Sequence, residues 1–288
     1  MKTPLRLLLG PRESDAISPT AHYTGYVWYR NGLSHPGLVT PEGKALYHGL
    51  RPLNAASGTI GGPTLEGFLL ARHRAIDELL DQAIREGRVG QVIEVAAGLS
   101  PRGWDFSRRY GRKLRYIEAD LPDMARRKRE RLEAAGLLTS RHSVVALDAL
   151  ADGGALSLAA LAKKLDRKKG LAIITEGLLN YFDTDAVLGM WQRFAGVLKL
   201  FPQGLYFSDL HVASENRGAG TRAFGKALGS FVRGKVYLHF SSVAEAEAAL
   251  RRSGFNSARL ISPPAQALKD SGIDSKGAKL VRVIDAAT

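Results

Sequence analysis

Short apolar segments recur from residue 91 to the end of the chain, and turn-forming or charged residues separate them. Between them lie stretches in which apolar residues follow helical spacing, at 122–135, 155–166, 184–199 and 242–253. Alternation of apolar runs with amphipathic helices predicts an α/β, Rossmann-like fold with a mostly parallel sheet. The seven predicted strands are the runs QVIEVAA, LRYIEAD, SVVALDA, LAIITEG, GLYFSDLH, ARLISP and KLVRVID.

The last two runs differ from the others because no obvious crossover helix separates them. The segment between ARLISP and KLVRVID is polar and contains proline and glycine. Parallel neighbours need a long crossover, whereas antiparallel neighbours do not. The sequence therefore predicts a C-terminal antiparallel hairpin at one edge of the seven-stranded sheet.

Two further regions lie outside this alternation. Before residue 90, the segments 18–33 and 64–87 have helical patterns, the second strongly amphipathic. We expect residues 1–90 to form a helical N-terminal cap over the sheet, and residues 91–288 to form a Rossmann-like core. A glycine-rich segment at about 212–240 interrupts the core and is predicted to be an inserted helical lid. The whole chain, 1–288, is predicted to be a single domain.

The composition excludes several classes of protein but does not indicate a specific function. With 288 residues, 45% of them hydrophobic, the chain can bury a sizeable core. No apolar run reaches the length that spans a bilayer, and the opening MKTPLRLLLGPRES does not have the form of a signal peptide. The absence of cysteine excludes disulfides and thiolate chemistry, and no pair of metal-ligand residues stands out. We therefore expect a cytoplasmic protein without a metal.

The net charge of +13 raises the question of a nucleic-acid partner. About half of the excess lies between residues 102 and 141, where twelve Lys/Arg face six Asp/Glu. Such a face can attract nucleic acid or an acidic substrate. At the centre of this region, in ARRKRERLEAAG, acids are interleaved with the basic residues and no aromatic residue is present, which is equally typical of a solvated helix face. The second interpretation is favoured, and nucleic acid is kept only as an alternative partner.

Polar and small residues follow the predicted strands where each one ends. In a doubly wound sheet, ligands bind beyond the carboxyl ends of the strands. Small residues after the first strand let the main chain approach a ligand, and an acid after the second strand can accept hydrogen bonds from a ribose. The residues at these ends are Ala96, Ala97 and Gly98, then Asp120, Asp148, Glu176, Asp209 and His211. Together they predict a ligand that contains a nucleoside.

The turn after the first strand helps to choose among such ligands. A dinucleotide site requires G-x-G-x-x-G, whereas Gly98 is followed by Leu-Ser-Pro-Arg-Gly-Trp. A ligand with ribose and adenine but no pyrophosphate fits better, and S-adenosylmethionine is such a ligand. An NAD(P)-binding oxidoreductase is the alternative.

Four segments resemble the leucine carboxyl methyltransferase-like family, which includes protein C-terminal carboxyl methyltransferases and bacterial polyketide O-methyltransferases. They are VIEVAAGLSPRG, YIEADLPDMARRKRERL, ITEGLLNYF and LLARHRAIDELL. The resemblance extends from about Ser18 to the C-terminus, with Ala96 where the family usually has glycine. It implies the class I fold of S-adenosylmethionine-dependent methyltransferases.

The resemblance also implies roles for individual residues. Arg72 would pair with the methionyl carboxylate and Glu176 with the methionyl ammonium. Gly98 would leave room for the cofactor, Asp120 would hold the ribose, and Asp148 would accept from the adenine amino group. The full predicted cofactor-binding set is Arg72, Glu94, Ala96, Gly98, Asp120, Leu121, Asp148, Ala149 and Glu176. Alternative readings are a helix-surface arginine at position 72, helix-capping or turn residues at 120 and 148, and a structural glutamate at 176.

The acceptor is predicted to be a small molecule. Protein-methylating members of the family carry a lysine in the N-terminal helix, and SPTAHYTGYVW has none. A carboxylate acceptor needs no base, whereas a hydroxyl acceptor does, and His211 is the candidate base. Tyr181 is a candidate for the acceptor pocket. The alternatives are a hydrogen-bonded strand-end histidine and a core tyrosine.

The sequence thus predicts transfer of a methyl group to a carboxylate or hydroxyl oxygen of a small molecule, of the secondary-metabolite type. Two other classes stay open. A nucleic-acid methyltransferase is disfavoured because EGLLNYF lacks the prolines of amino-directed enzymes and the chain lacks the cysteine of cytosine C5 enzymes. The third class is a non-enzymatic protein that binds the cofactor without methylating any acceptor. The oligomeric state is left open.

Overall fold

The computed structural model describes residues 19–59, 64–216, 237–263, 268 and 277–288. Seven strands form one sheet: β1 Gln91–Val95, β2 Arg115–Asp120, β3 His142–Ala146, β4 Leu171–Thr175, β5 Gly204–Leu210, β6 Ser257–Ile261 and β7 Arg282–Ala287. The α-helices of the described residues are α1 Pro19–Arg30, α2 Pro41–Thr59, α3 Leu65–Arg85, α4 Arg102–Tyr110, α5 Pro122–Ala134, α6 Leu158–Ala162, α7 Thr184–Leu198 and α8 Val243–Arg252.

The sheet has the order β3-β2-β1-β4-β5-β7-β6. Strands β1 to β5 run parallel, and β7 is antiparallel to both of its neighbours. The prediction of a mostly parallel seven-stranded sheet with an antiparallel C-terminal pair is confirmed. The strand order reverses between β1 and β4, so the crevice expected to hold a ligand lies beyond the ends of these two strands.

Two helices were not among the predicted elements. Helix α2 contains glycines and Pro52, which obscure its pattern. Helix α4 begins directly after Ser100-Pro101, a pair that reads as a turn in the sequence. The predicted helix 155–166 is shorter in the structure, where the Ser157 side chain accepts a hydrogen bond from the Ala160 N–H and so caps α6 at its start.

The sheet is apolar on both faces because helices cover both. On one face α3 and α4 pack on β1, β4 and β5, with Ile76 and Phe106 fully buried. On the other face α6, α7 and α8 bury Trp191 and Phe194 against the sheet. This two-sided burial explains the nearly continuous apolar runs of β1 and β4.

Helix α1 lies against the carboxyl ends of β1 and β4. A Cβ built on Gly98 would lie 3.6 Å from the Ala21 Cβ, and one built on Gly25 would lie 3.2 Å from Leu99. Most of the predicted lid at 212–240 lies outside the described residues. Within the part of the chain that the structure describes, no helix is both long and apolar enough to cross a membrane.

Candidate functional site

The turn after β1 is joined to the end of β2 through one carboxylate. Ala96 and Gly98 both have positive φ, 55° and 47°. The Gly98 N–H donates to Asp120 Oδ2 (2.8 Å), and the Leu121 N–H donates to Asp120 Oδ1 (2.8 Å). Asp120 therefore fixes the conformation of the turn and, because each carboxylate oxygen has two lone pairs, retains capacity for further donors.

The pKa of Asp120 lies above its ordinary value. Burial raises the pKa of this carboxyl, and the N–H groups of Gly98 and Leu121 only partly offset that effect. Asp120 is not only a helix-capping residue, because one of the two backbone N–H groups that donate to it belongs to Gly98 in the turn after β1.

The end of β4 carries a second carboxylate, with charged partners. Arg72 Nε donates to Glu176 Oε1 (3.1 Å), and Arg102 Nη2 donates to Glu176 Oε2 (2.6 Å). His73 Nδ1 lies 2.8 Å from the same Oε2. Burial acts to raise the pKa of Glu176, but the positive groups around it outweigh burial and hold this pKa well below its ordinary value.

Arg102 joins three elements inside the protein. Its side chain is 0% exposed. Its Nε donates to Asp77 Oδ1 (2.5 Å) on α3, and its Nη1 donates to Glu94 Oε1 (2.6 Å) on β1. With the bond to Glu176, the guanidinium therefore meets one carboxylate from each of α3, β1 and the end of β4.

Glu94 is placed inside this network. Besides the bond from Arg102, its Oε2 accepts a hydrogen bond from the Tyr116 hydroxyl (2.7 Å). Both carboxylate oxygens are thus bonded within the protein, and the residue is 1% exposed. The structure shows Glu94 supporting the buried ions, and direct contact with a cofactor stays a prediction.

Arg72 extends the network to β5. Its Nη1 donates to Asp209 Oδ2 (3.0 Å), while the Gly177 N–H donates to Asp209 Oδ1 (2.7 Å). Gly177 has φ 68°, and a Cβ built on it would lie 2.9 Å from Arg72 Nη2, so glycine leaves the space that the guanidinium needs. The side chain of Arg72 is 10% exposed, which excludes a helix-surface role.

The charges of this cluster do not balance. Among the described residues of the cluster, four carboxylates face two guanidinium groups, so the carboxylates outnumber the guanidinium groups by two. An uncompensated buried charge is costly. The cluster therefore fits a ligand that brings positive charge to the ends of β1 and β4, as the ammonium and sulfonium groups of S-adenosylmethionine do.

His211 follows β5 and has a defined tautomer. Its Nδ1 lies 2.8 Å from the Leu280 carbonyl oxygen, which can only accept, so Nδ1 carries the hydrogen and Nε2 has a lone pair that none of the described residues uses. Its ring stacks on Phe68 at 5.2 Å between centroids. Burial lowers the pKa of His211 below its ordinary value, although Asp209 opposes the shift. The imidazole is neutral at pH 7.

Tyr181 lies at the surface after β4. It is 42% exposed, and its hydroxyl is 2.9 Å from Thr20 Oγ1 of α1. Core packing therefore does not account for this tyrosine. The contact places it between the N-terminal cap and the end of β4, beside the network around Arg72.

The remaining predicted residues follow β2 and β3. Asp148 Oδ1 accepts the Leu150 N–H (2.9 Å), which makes a local turn and leaves Oδ2 without a hydrogen bond to the described residues. Ala149 is half-buried against the apolar core, and Leu121 is the residue before α5. The structure thus groups Arg72, Glu94 and Glu176 in one network and Gly98, Asp120 and Leu121 in another, with Asp148 and Ala149 apart from both.

Several participants were missed by the sequence interpretation. Arg102, His73, Asp77 and Tyr116 all belong to the ion network. A usable signal existed on α3, because His73 and Asp77 fall among apolar residues of a strongly amphipathic helix. Arg102 gave a weaker signal, since it lies in the turn-like sequence SPRG.

Comparisons with known proteins agree with this geometry. The family model described as leucine carboxyl methyltransferase matches residues 38–195. A DUF574 family protein from Streptomyces avermitilis MA-4680 is similar in structure, with 15% identity, a TM-score of 0.63, and coverage of 95% of this chain and 98% of that one. An O-methyltransferase family protein from Burkholderia thailandensis has 15% identity and a TM-score of 0.53, with 99% and 76% covered.

A third solved structure, PigF with SAH, has 15% identity and a TM-score of 0.51. The match covers 73% of this chain but only 53% of that one, so this chain spans about half the length of PigF. At such identities the likeness shows the fold, which is that of class I S-adenosylmethionine-dependent methyltransferases. A comparison with curated protein sequences found no match.

Proposed function

Because this chain belongs to the leucine carboxyl methyltransferase family, we propose that it transfers the methyl group of S-adenosylmethionine to an oxygen atom of a small molecule. One observation carries this proposal: the excess of buried carboxylates at the ends of β1 and β4, next to a turn with two residues at positive φ. That combination suits a cationic ligand that lies close to the main chain.

The residues present offer a partner for each part of the cofactor. Asp120 retains acceptor capacity for the ribose hydroxyls, and the Oδ2 atom of Asp148 can accept from the adenine amino group. Glu176 would hold the methionyl ammonium. Arg72 would meet the methionyl carboxylate through Nη2, which makes no hydrogen bond to the described residues.

When bound, S-adenosylmethionine supplies an electrophilic methyl group on a sulfonium. The protein then has to position the acceptor and, where the acceptor is a hydroxyl, remove its proton. Positioning contributes on the order of 7 to 11 kcal/mol to such a step. His211 is neutral, and its Nε2 lone pair is not used by any residue in the described part of the chain. It would take the proton of a hydroxyl acceptor, which contributes roughly 10²- to 10⁴-fold in rate.

A small acceptor is favoured over nucleic acid. Three of the four arginines of α5 that raised the nucleic-acid alternative are bonded within the protein: Arg129 donates to the Val144 carbonyl and Arg131 to the Val39 carbonyl. Arg126 pairs with Glu130 on the same helix. We further propose that the acceptor is a secondary-metabolite type of compound, that residues 1–288 act as one domain, and that the protein works in the cytoplasm.

Calorimetry with S-adenosylmethionine, S-adenosylhomocysteine and NADH tests the cofactor. We expect binding of both sulfur ligands and none of NADH. Transfer of a radiolabelled methyl group is then measured on panels of phenols, alcohols and carboxylic acids. His211→Gln should lower turnover of a hydroxyl acceptor about 10²- to 10⁴-fold without weakening cofactor binding. Binding of NADH alone, or full activity of the variant on a hydroxyl acceptor, would contradict the proposal.

A further inference from the structure

Arg102 occupies an unusual place for an arginine, because it is entirely buried and does not lie at the surface of the crevice. Its side chain is 0% exposed, and its three nitrogens each donate to a different carboxylate, those of Asp77, Glu94 and Glu176. Burial lowers the pKa of Arg102, but these carboxylates outweigh burial and raise the pKa well above its ordinary value. The guanidinium is therefore a permanent positive charge.

The other two carboxylates hold Arg102 rigidly. Glu94 is on β1 in the centre of the sheet and is fixed from its other oxygen by the Tyr116 hydroxyl (2.7 Å). Asp77 lies on α3, one turn after His73, whose Nε2 is 3.5 Å from Asp77 Oδ2. A guanidinium anchored to a strand and a helix has little freedom, so the oxygen that it binds at the end of β4 is fixed too.

The network uses the two oxygens of Glu176 unequally. Oε2 is within hydrogen-bond distance of both Arg102 Nη2 (2.6 Å) and His73 Nδ1 (2.8 Å). Among the described residues, Oε1 is bonded only by Arg72 Nε (3.1 Å). His73 Nδ1 is also 2.9 Å from Arg102 Nη2, so the two nitrogen atoms and Oε2 form one closely packed group. Oε1 has one donor outside this group and, because a carboxylate oxygen accepts about two hydrogen bonds, keeps one acceptor position.

From this asymmetry we infer that Arg102 is a positioning residue, which fixes Glu176 so that Oε1 receives the amino group of the cofactor's amino-acid end. This inference rests on the proposed function. It assigns to Arg102 no contact with the ligand and predicts that its loss affects only ligands that carry an α-amino group.

Two ligands separate this role from a general structural role. S-adenosylhomocysteine carries the amino-acid end, whereas 5′-methylthioadenosine has the same adenosine and thioether sulfur without it. Arg102→Lys keeps the positive charge, but its single nitrogen atom replaces three that each reach a different carboxylate, so the variant cannot keep all three bonds at their present geometry. We expect the variant to bind S-adenosylhomocysteine at least about tenfold more weakly, as for the loss of the charge-assisted hydrogen bond between the ligand's amino group and Glu176 Oε1. It should bind 5′-methylthioadenosine within about twofold of the wild type.

Matched variants make the result specific. Arg108→Lys, on the same helix but with a 66% exposed side chain, should leave both affinities unchanged. Glu176→Gln should reproduce the selective loss, and combining it with Arg102→Lys should add little, because the two residues act as a unit. Additive losses in the double variant would contradict the inference.

The buried position of Arg102 makes unfolding of its variant a possible outcome, and Asp77→Asn covers that case. Asp77 has an 18% exposed side chain and holds Arg102 from the α3 side. Its variant should show a selective loss of about threefold for S-adenosylhomocysteine. If every folded variant lost affinity equally for S-adenosylhomocysteine and 5′-methylthioadenosine, or lost no affinity for either, the role of Arg102 would be overturned. Failure of the wild type to bind S-adenosylhomocysteine would instead overturn the proposed function.

Discussion

Asp120 and Glu176 are two carboxylates at the carboxyl ends of β2 and β4, the parallel strands on either side of β1, yet their pKa values move in opposite directions. Burial raises the pKa of Asp120, whose partners are two backbone N–H groups. The pKa of Glu176 is held well below its ordinary value although its side chain is only 4% exposed. The difference lies in the partners, because two arginines and a histidine surround Glu176.

The comparison shows two ways of preparing a site for the same ligand. The end of β2 offers a carboxylate embedded in backbone hydrogen bonds, which suits neutral hydroxyl donors. The end of β4 offers a carboxylate whose pKa is held well below its ordinary value, within a cluster where carboxylates outnumber guanidinium groups, which suits a cation. The two halves of the crevice are thus chemically distinct before any ligand binds.

The largest effect is expected from Glu176→Gln. Removing the charge leaves a cationic ligand without its acceptor and two buried arginines without one counter-ion. We expect the affinity for S-adenosylmethionine to fall about 100-fold, as for the loss of a charged hydrogen bond in a buried site, when measured by calorimetry. Glu130→Gln, on the exposed face of α5 with a 59% exposed side chain, is the control. An affinity within twofold of the wild type would remove Glu176 from the binding site.

Asp120→Asn should have a smaller effect on binding. The amide keeps one acceptor oxygen but leaves the N–H of Gly98 or Leu121 facing another donor, so the turn loses one of its two bonds. We expect about a tenfold loss of affinity for S-adenosylhomocysteine. A similar loss of affinity for adenosine would show that the substitution affects binding of the nucleoside, which is the part of the ligand that the comparison assigns to Asp120. A loss of affinity only for ligands that carry the amino-acid end would contradict this assignment of Asp120.

The same two substitutions should change acid stability with opposite signs. Glu176 has a lowered folded-state pKa, so its contribution to the free energy of unfolding is present above its ordinary value of 4.5 and is lost as pH falls through the folded pKa. Asp120 has a raised folded-state pKa, so its contribution is present below 3.8 and is lost as pH rises through the folded pKa.

Urea unfolding between pH 3 and pH 7 can measure these slopes. With Glu176→Gln, the free energy of unfolding should rise less steeply with pH below 4.5 than in the wild type. With Asp120→Asn it should rise more steeply in the range just above 3.8. A change of slope in the same direction for both variants would show that the two carboxylates do not differ as described.

The smallest effects are expected in the backbone of the turn. Ala96 has φ 55° and Gly98 has φ 47°, a region that costs about 1 kcal/mol for a residue with a Cβ. Ala96→Gly should therefore stabilise the protein by at most about 1 kcal/mol, and Gly98→Ala should destabilise it by about 1 kcal/mol. Thermal unfolding measures both, and Gly87→Ala, at φ 72° with open space around it, calibrates the cost of a positive φ away from the site. Equal stability of the two turn variants would contradict the geometry.

Much of the fold could be predicted from local patterns. The seven apolar runs became seven strands, and the antiparallel pairing of the last two is confirmed. The prediction failed for α2 because glycines and Pro52 within the helix conceal its period, and for α4 because Pro101 and Gly103 make its start resemble a turn. It also missed that β7 inserts between β5 and β6, since nothing local in a strand specifies which edge it joins.

By itself, the sequence determined which residues stand at the ends of the strands, because the period of the apolar runs fixes where each strand stops. Asp120, Asp148, Glu176 and His211 were found in this way. The tertiary structure decided what surrounds them. Arg102 and Glu176 are 74 residues apart, and Arg72 and Asp209 are 137 apart. An ion pair between residues far apart in the sequence produces no periodic pattern of residue types. The charge state of each strand-end acid therefore depends on contacts that exist only after folding.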